Sequence, residues 1–318
     1  MTSDIDYSFN DKCKDYIVII MIYQSNIFDV PFLTKLHREF VLWFFTGTKC
    51  NLSCSHCYVE SSPTNESHPY LTMNTFNKSL QSVIDQQFTT LEFYFTGGEP
   101  FMNPDIIEML HESMKYGNTT VLTNGTKITD NVIERLSLIN NNSKFDLTIR
   151  VSLDGSDATS NDIIRGKNSF QRANQAIDKL QERSIKVIVT AMRSWSLLKS
   201  KDVEDSFIQL LVNRENPLPQ SSLKILPPLR IGREIIRDRG YKTDELFTES
   251  CFDNYDFSNL QCSKCRMVTE KGVWVCPILV NEDSGRMGDK LEDSFKPYAM
   301  KNLACWTCRM EGMVCTND

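Results

Sequence analysis

Between residues 40 and 230 the chain alternates short β-prone apolar runs with helical stripes, a rhythm that favours parallel βαβ units. The strand-like runs are Glu39–Gly47, Leu91–Thr96, Thr119–Thr123, Leu147–Leu153, Ile185–Ala191 and Leu223–Leu226. Apolar residues recur at helical spacing between them: Phe76, Leu80, Val83 and Ile84, then Ile106, Ile107, Leu110 and Met114, then Val132, Ile133 and Leu136, then Phe170, Ala173, Ile177 and Leu180. Thr72 and Asp130 suit helix caps, Asn103-Pro104 and Ser169 suit helix starts, and Gly117 suits a helix end. A closed or partly closed barrel and an open sheet both satisfy this order. In either, active residues gather where strands end, and Cys50, Gly97, Asn124 and Asp154 each follow such an end.

The formal charge of −6, from 35 basic and 41 acidic residues, lacks the basic excess of a protein that coats nucleic acid. The basic stretch Arg230, Arg233, Arg237, Arg239 and Lys242 is interrupted by Asp238 and reads as a solvated helix face. No run reaches the ~20 apolar residues of a membrane span. The apolar run Tyr16–Tyr23 follows Asp4, Asp6 and Asp15 and reads as a buried strand rather than a signal segment. A cytoplasmic protein that contacts neither membrane nor nucleic acid is expected.

The 11 cysteines are unevenly placed. Cys13 stands alone and reads as an inert thiol. Cys50, Cys54 and Cys57 form a tight trio, and after a long cysteine-free body seven more fall between Cys251 and Cys315. A secreted disulfide scaffold spreads its cysteines through a short chain, whereas two separated clusters read as two metal stations. The trio has C-x3-C-x2-C spacing, which can serve three irons of a [4Fe–4S] cluster and leave the fourth open. Structural zinc takes four protein ligands, and no local fourth ligand stands out. His56 reads better as an aromatic wall beside the site than as a zinc ligand.

The trio after the first strand, followed by Gly97-Gly98-Glu99-Pro100 after the second, resembles the radical S-adenosylmethionine (AdoMet) superfamily over about residues 40–230. The resemblance implies an α/β fold, a partial (β/α)6 TIM-like barrel. It implies Cys50, Cys54 and Cys57 as cluster ligands, AdoMet chelated to the open iron, and His56 lining the AdoMet site. Gly97, Gly98 and Glu99 match the segment that meets the methionine amino group. Ser152, Asp154 and Arg165 lie in a segment similar to that of the peptide-modifying branch, where such residues help to hold AdoMet; a structural ion pair at Arg165 is the plainer alternative. Leu229–Arg233 is similar to a stretch after the sixth strand of that branch.

The tail resembles the SPASM and Twitch extensions of the same superfamily, which carry auxiliary iron–sulfur clusters. The matching residues are Cys262, Cys265, Gly272, Cys276, Cys305, Cys308 and Cys315. Cys276, Cys305 and Cys308 fit three ligands of one auxiliary [4Fe–4S] cluster, with Cys262 or Cys265 the fourth. The cysteine count favours one auxiliary cluster over two, and two C-x2-C pairs also suit a zinc ribbon. Cys251 remains open as ligand, core residue or hydrogen-atom donor. The implied organisation is an N-terminal extension (1–39), a radical AdoMet core (40–235) and a SPASM/Twitch-like auxiliary cluster domain (236–318). The extension is shorter than the leader-binding winged helix of some relatives.

The implied activity is reductive cleavage of AdoMet to a 5′-deoxyadenosyl radical that removes a substrate hydrogen atom. An electron donor such as flavodoxin or ferredoxin would supply the cluster. A ribosomally made peptide is the leading substrate class, for cross-linking, thioether formation, epimerisation or oxidation. A dehydrogenase or epimerase of a small molecule such as an amino sugar is the alternative. A non-catalytic iron–sulfur or zinc protein is the reading from another class.

Overall fold

The structure, a computed structural model, describes residues 28–33, 39–195, 199–242, 244–245, 247 and 249–317. The expected strand Tyr16–Tyr23 and Cys13 lie outside the described residues. Strand β1 (Phe28–Val30) comes first. Six parallel strands follow in sequence order across one sheet: β2 (Glu39–Phe45), β3 (Thr90–Thr96), β4 (Asn118–Thr123), β5 (Leu147–Ser152), β6 (Lys186–Met192) and β7 (Leu223–Leu226). The expected (β/α)6 core is therefore present. β2 and β7 do not pair with each other, so the barrel is open.

Both faces of this sheet are covered, which is why its strands read as near-continuous apolar runs. Phe40, Leu42 and Phe44 of β2 point to the helical layer, while Val41, Trp43 and Phe45 point to the concave side. On β5 the same alternation sends Leu147, Ile149 and Val151 outward to the helices. It leaves Arg150 and Ser152 on the concave face, where the side-chain period of two carries the intervening positions.

The helical layer is built from α1 (Met73–Asp85), α2 (Ile106–Ser113), α3 (Asp130–Asn141), α4 (Ala158–Arg165), α5 (Ser169–Glu182) and α6 (Ser200–Val212), with the short α7 (Glu234–Arg237) after β7. The hydroxyl of Thr72 accepts from the Thr75 amide at 3.3 Å and caps α1 as its sequence suggests. Helix α3 is capped by Thr129, one residue before the expected Asp130. Helix α2, by contrast, starts later than expected. The Asn103 amide group donates to Thr46 O (3.3 Å) and Leu71 O (2.9 Å), so Asn103-Pro104 is spent on a loop and Ile106 begins the helix. Helix α4 has no counterpart in the sequence reading.

The C-terminal segment returns to the core. Strand β8 (Cys265–Thr269) lies parallel to β2, with Val41 opposite Cys265 and Phe44 opposite Val268. β9 (Gly272–Trp274) and β10 (Arg286–Gly288) extend the sheet antiparallel, giving nine strands, while β11 (Tyr298–Met300) pairs with β1. Strands β8, β9 and β10, all beyond residue 235, thus complete the sheet of the core. The buried Arg266 fastens this return: Nε donates to Ser294 O (2.7 Å), Nη1 to Cys262 O (2.8 Å) and Nη2 to Lys296 O (2.7 Å). A buried guanidinium is tolerable here because its donors are used. The last helix, α8 (Cys305–Met310), begins at a cysteine. Among the described residues no helix is long and apolar enough to cross a membrane.

Candidate active site

The loop after β2 carries the first three cysteines. Its root is fixed by Thr48 N donating to His68 O (3.0 Å) and Cys50 N donating to Ser62 O (3.0 Å). Ser55 N donates to Ile164 O (2.9 Å), which ties the loop's middle to α4. Cys50 is buried and Cys54 and Cys57 are half-buried. Cys50 Sγ accepts from Leu52 N at 3.4 Å and from Asn124 Nδ2 at 3.7 Å. All three cysteines line one cavity.

Gly97 and Gly98 line the same cavity and bring β3 against the root of that loop. Gly98 N donates to Gly47 O (2.8 Å) and Glu99 N to Lys49 O (3.0 Å). A Cβ at Gly98 would stand 2.1 Å from Lys49 O, so no larger residue permits this approach. Glu99 turns its carboxylate into the fold. Its carboxylate accepts from Phe101 N (3.1 Å), Thr123 Oγ1 (2.7 Å) and Asn124 N (2.8 Å). It is fully buried and not part of the cavity wall, and it joins the β3 and β4 ends. Burial pushes its carboxyl above the usual range despite these donors.

His56, Asp154 and Arg165, read separately from the sequence, form one buried group. Asp154 Oδ2 lies 2.5 Å from His56 Nε2 and 2.6 Å from Arg165 Nε, while Oδ1 accepts from Met192 N at 2.8 Å. Burial alone would raise the Asp154 carboxyl. Arg165, His56 and the amide outweigh it and hold the carboxyl far below the carboxylate range. The structure thus shows Arg165 in an ion pair, while Arg165 and His56 still line the cavity with Ser152. Asp154 stands behind them, and Asn161 Oδ1 accepts from its backbone amide at 2.9 Å.

The second cysteine set gathers in the C-terminal segment. Cys262, Cys265, Cys276, Cys305, Cys308 and Cys315 are near enough to perturb one another electrostatically. Burial and, after it, the neighbouring sulfurs push Cys262, Cys265 and Cys308 well above the ordinary thiol range, and Cys305 and Cys315 up to about 12. At the first set, burial likewise pushes Cys50 up to about 12. Such thiols ionise together only against a cation, and metal binding supplies it. Among the described residues no three His, Cys, Asp or Glu side chains already converge on a single metal ion. A cubane gives each thiolate its own iron and asks for no such convergence. The donors present therefore fit an iron–sulfur group at each set.

Tyr58 stands between the sets, half-buried, with Cys57, Cys276 and Cys315 all acting on its phenol. Its hydroxyl donates to Pro277 O at 3.3 Å. Cys315 reaches the cavity wall as well, so both cysteine sets border one chamber. Cys251 lies apart from that wall, buried beside Phe252 and Leu260, with its carbonyl accepting from Arg309. Sequence reasoning missed Tyr58 and Arg150, and placed Asn124 only as a residue at a strand end. For Arg150 a signal existed, a lone arginine on the alternating β5 run LTIRVS.

Comparison with known proteins agrees with this architecture. Residues 44–195 match the Radical SAM superfamily, SAM being AdoMet. The antilisterial bacteriocin subtilosin biosynthesis protein AlbA of Bacillus subtilis is 34% identical over 167 residues, 52% of this chain and 34% of that protein. Mycofactocin maturase MftC of Mycolicibacterium smegmatis is 31% identical over 149 residues, 44% of this chain and 35% of that protein. The chain thus spans about a third of the length of these curated relatives. Among solved structures, anSMEcpe with bound AdoMet superposes with a TM-score of 0.58 at 17% identity, over 84% of this chain and 79% of that one. Streptococcus suis SuiB bound to S-adenosylmethionine superposes with a TM-score of 0.54 at 16% identity, over 80% and 65%. At that identity the likeness is one of fold. The sequence match covers the cysteine loop, the Gly97-Gly98 segment and strands β3 to β6, all within the residues 44–195 that match the Radical SAM superfamily.

Proposed function

We propose that this chain is a radical AdoMet enzyme that modifies a ribosomally made peptide with the help of an auxiliary iron–sulfur group. The observation that carries the reading is one chamber bordered at one end by Cys50, Cys54 and Cys57 and reached by Cys315 of the second set. A [4Fe–4S] cluster with an open iron, when bound, supplies an electron to AdoMet and so the 5′-deoxyadenosyl radical that takes a substrate hydrogen atom.

The chain's own residues do the positioning. Gly97 and Gly98 keep the wall beside the cysteine loop thin enough for a ligand to lie against backbone. Asp154 orients Arg165 and His56, and the half-buried Ser152 adds a hydroxyl. Apolar Leu122, Leu226, Leu229 and Ile278 exclude water from the chamber. A flavodoxin or ferredoxin is the proposed electron donor and the cytoplasm the proposed setting. Support for a peptide substrate comes from the bacteriocin and mycofactocin maturation proteins among the relatives.

The test is turnover. Anaerobically reconstituted chain given dithionite and AdoMet is expected to release 5′-deoxyadenosine and methionine in equal amounts, measured by liquid chromatography. No release from iron-loaded protein overturns the proposal.

A further inference from the structure

Among the described residues two guanidiniums line the chamber, those of Arg150 and Arg165, and no carboxylate does. Arg165 has its counter-ion in Asp154. Arg150 differs. It is 0% exposed, its Nε donates to Thr190 Oγ1 at 3.1 Å, and its Nη1 donates to the Cys315 carbonyl. Its Nη2 is buried with no partner. Arg266, equally buried, uses all three of its nitrogens, whereas idle buried nitrogens recur on Arg214, Arg230, Arg233 and Arg309, none of which lines the chamber. An unused donor on a buried cation at a cavity wall is costly unless a ligand completes it.

We propose that Arg150 receives a carboxylate of the substrate at the end of the chamber away from the first cysteine set. The guanidinium fork suits that group, and the Thr190 hydroxyl, also on the wall, stands beside it. Placement argues against the AdoMet carboxylate. Arg150 lies within β5, two residues before its last residue Ser152, whereas Asp154 stands on the loop beyond the strand, and Arg150 lies beside Cys315 rather than Cys54. The substrate is thus expected to carry an acidic side chain or a chain-terminal carboxylate into the chamber. This inference rests on reading the chamber as the substrate site.

Equilibrium dialysis tests it without turnover. The anaerobically reconstituted full chain, saturated with AdoMet, is dialysed against N-acetyl-L-alanine and against its neutral counterpart N-acetyl-L-alaninamide. Wild type is expected to prefer the acid at least tenfold. Arg150→Gln is expected to lose that preference while binding AdoMet within twofold of wild type, and Arg150→Lys to retain part of it. Equal binding of both probes by wild type overturns the proposal and needs no variant to fold. A fivefold or greater loss of AdoMet affinity in Arg150→Gln also overturns it, by assigning the arginine to AdoMet. So does a variant that changes only its iron content, which makes Arg150 a counter-ion of Cys315. A chain that prefers the acid but never cleaves AdoMet contradicts the proposed function alone, and the converse contradicts this inference alone.

Discussion

Cys57→Ala is expected to reduce 5′-deoxyadenosine release at least a thousandfold while leaving the fold intact. Cys57 is half-buried on a loop, and its backbone carbonyl, kept in the variant, holds Arg233 N (3.2 Å) and Glu60 N (3.2 Å). Truncation removes one sulfur and little packing, so the variant is expected to melt within a few degrees of wild type. The loss falls on chemistry because three thiolates are the least that hold the iron group and still leave one iron open. Iron analysis separates the two cysteine sets. Cys57→Ala is expected to lose about four irons per chain. Cys276→Ala is expected to lose irons from the other set, whose thiols it touches through Cys262, Cys305 and Cys308. Full turnover by Cys57→Ala removes the loop from the chemistry.

Asp154→Asn carries the second large effect. Asp154 is 2% exposed and balances Arg165, and removing one member of such a buried pair costs ~3–5 kcal/mol. Arg165→Met added to Asp154→Asn is expected to recover part of that loss, as a double-mutant cycle shows. The pH dependence follows from the depressed carboxyl. Its contribution is complete above the unfolded carboxylate value of about 3.9 and is lost only as pH falls below it, toward the folded value. The stability gap between wild type and Asp154→Asn in urea is therefore expected to stay constant from pH 8 to about pH 5. A gap that collapses between pH 8 and 6 contradicts the assignment of Arg165 as main partner. AdoMet affinity is expected to fall with the gap, since Arg165 and His56 lose their common anchor.

The core was legible because burial on both faces writes each strand as an apolar run. The run expected at Leu91–Thr96 is the strand Thr90–Thr96, and that expected at Leu147–Leu153 is Leu147–Ser152. The cysteine loop and Gly97-Gly98 were legible because ligand spacing and close backbone approach each demand particular residues at particular places. Strand β8 was not. Its five residues lie among cysteines, and their pairing with β2 joins positions more than two hundred residues apart. The same distance problem hid the His56–Asp154–Arg165 group, which joins the loop after β2, the loop after β5 and the last residue of α4. Glu99 was legible as a carboxylate, but its three donors come from Phe101, Thr123 and Asn124, and only the folded chain shows them consuming it. Arg150, the charged residue of β5, was passed over, and its idle nitrogen is a property of the packed chamber.

Electron paramagnetic resonance of the dithionite-reduced, anaerobically reconstituted chain, recorded with and without AdoMet, bears most directly on the loop of Cys50, Cys54 and Cys57. A reduced iron–sulfur signal that shifts on adding AdoMet, with the shift absent in Cys57→Ala, is the predicted result. A signal indifferent to AdoMet, or zinc at that loop in place of iron, contradicts it.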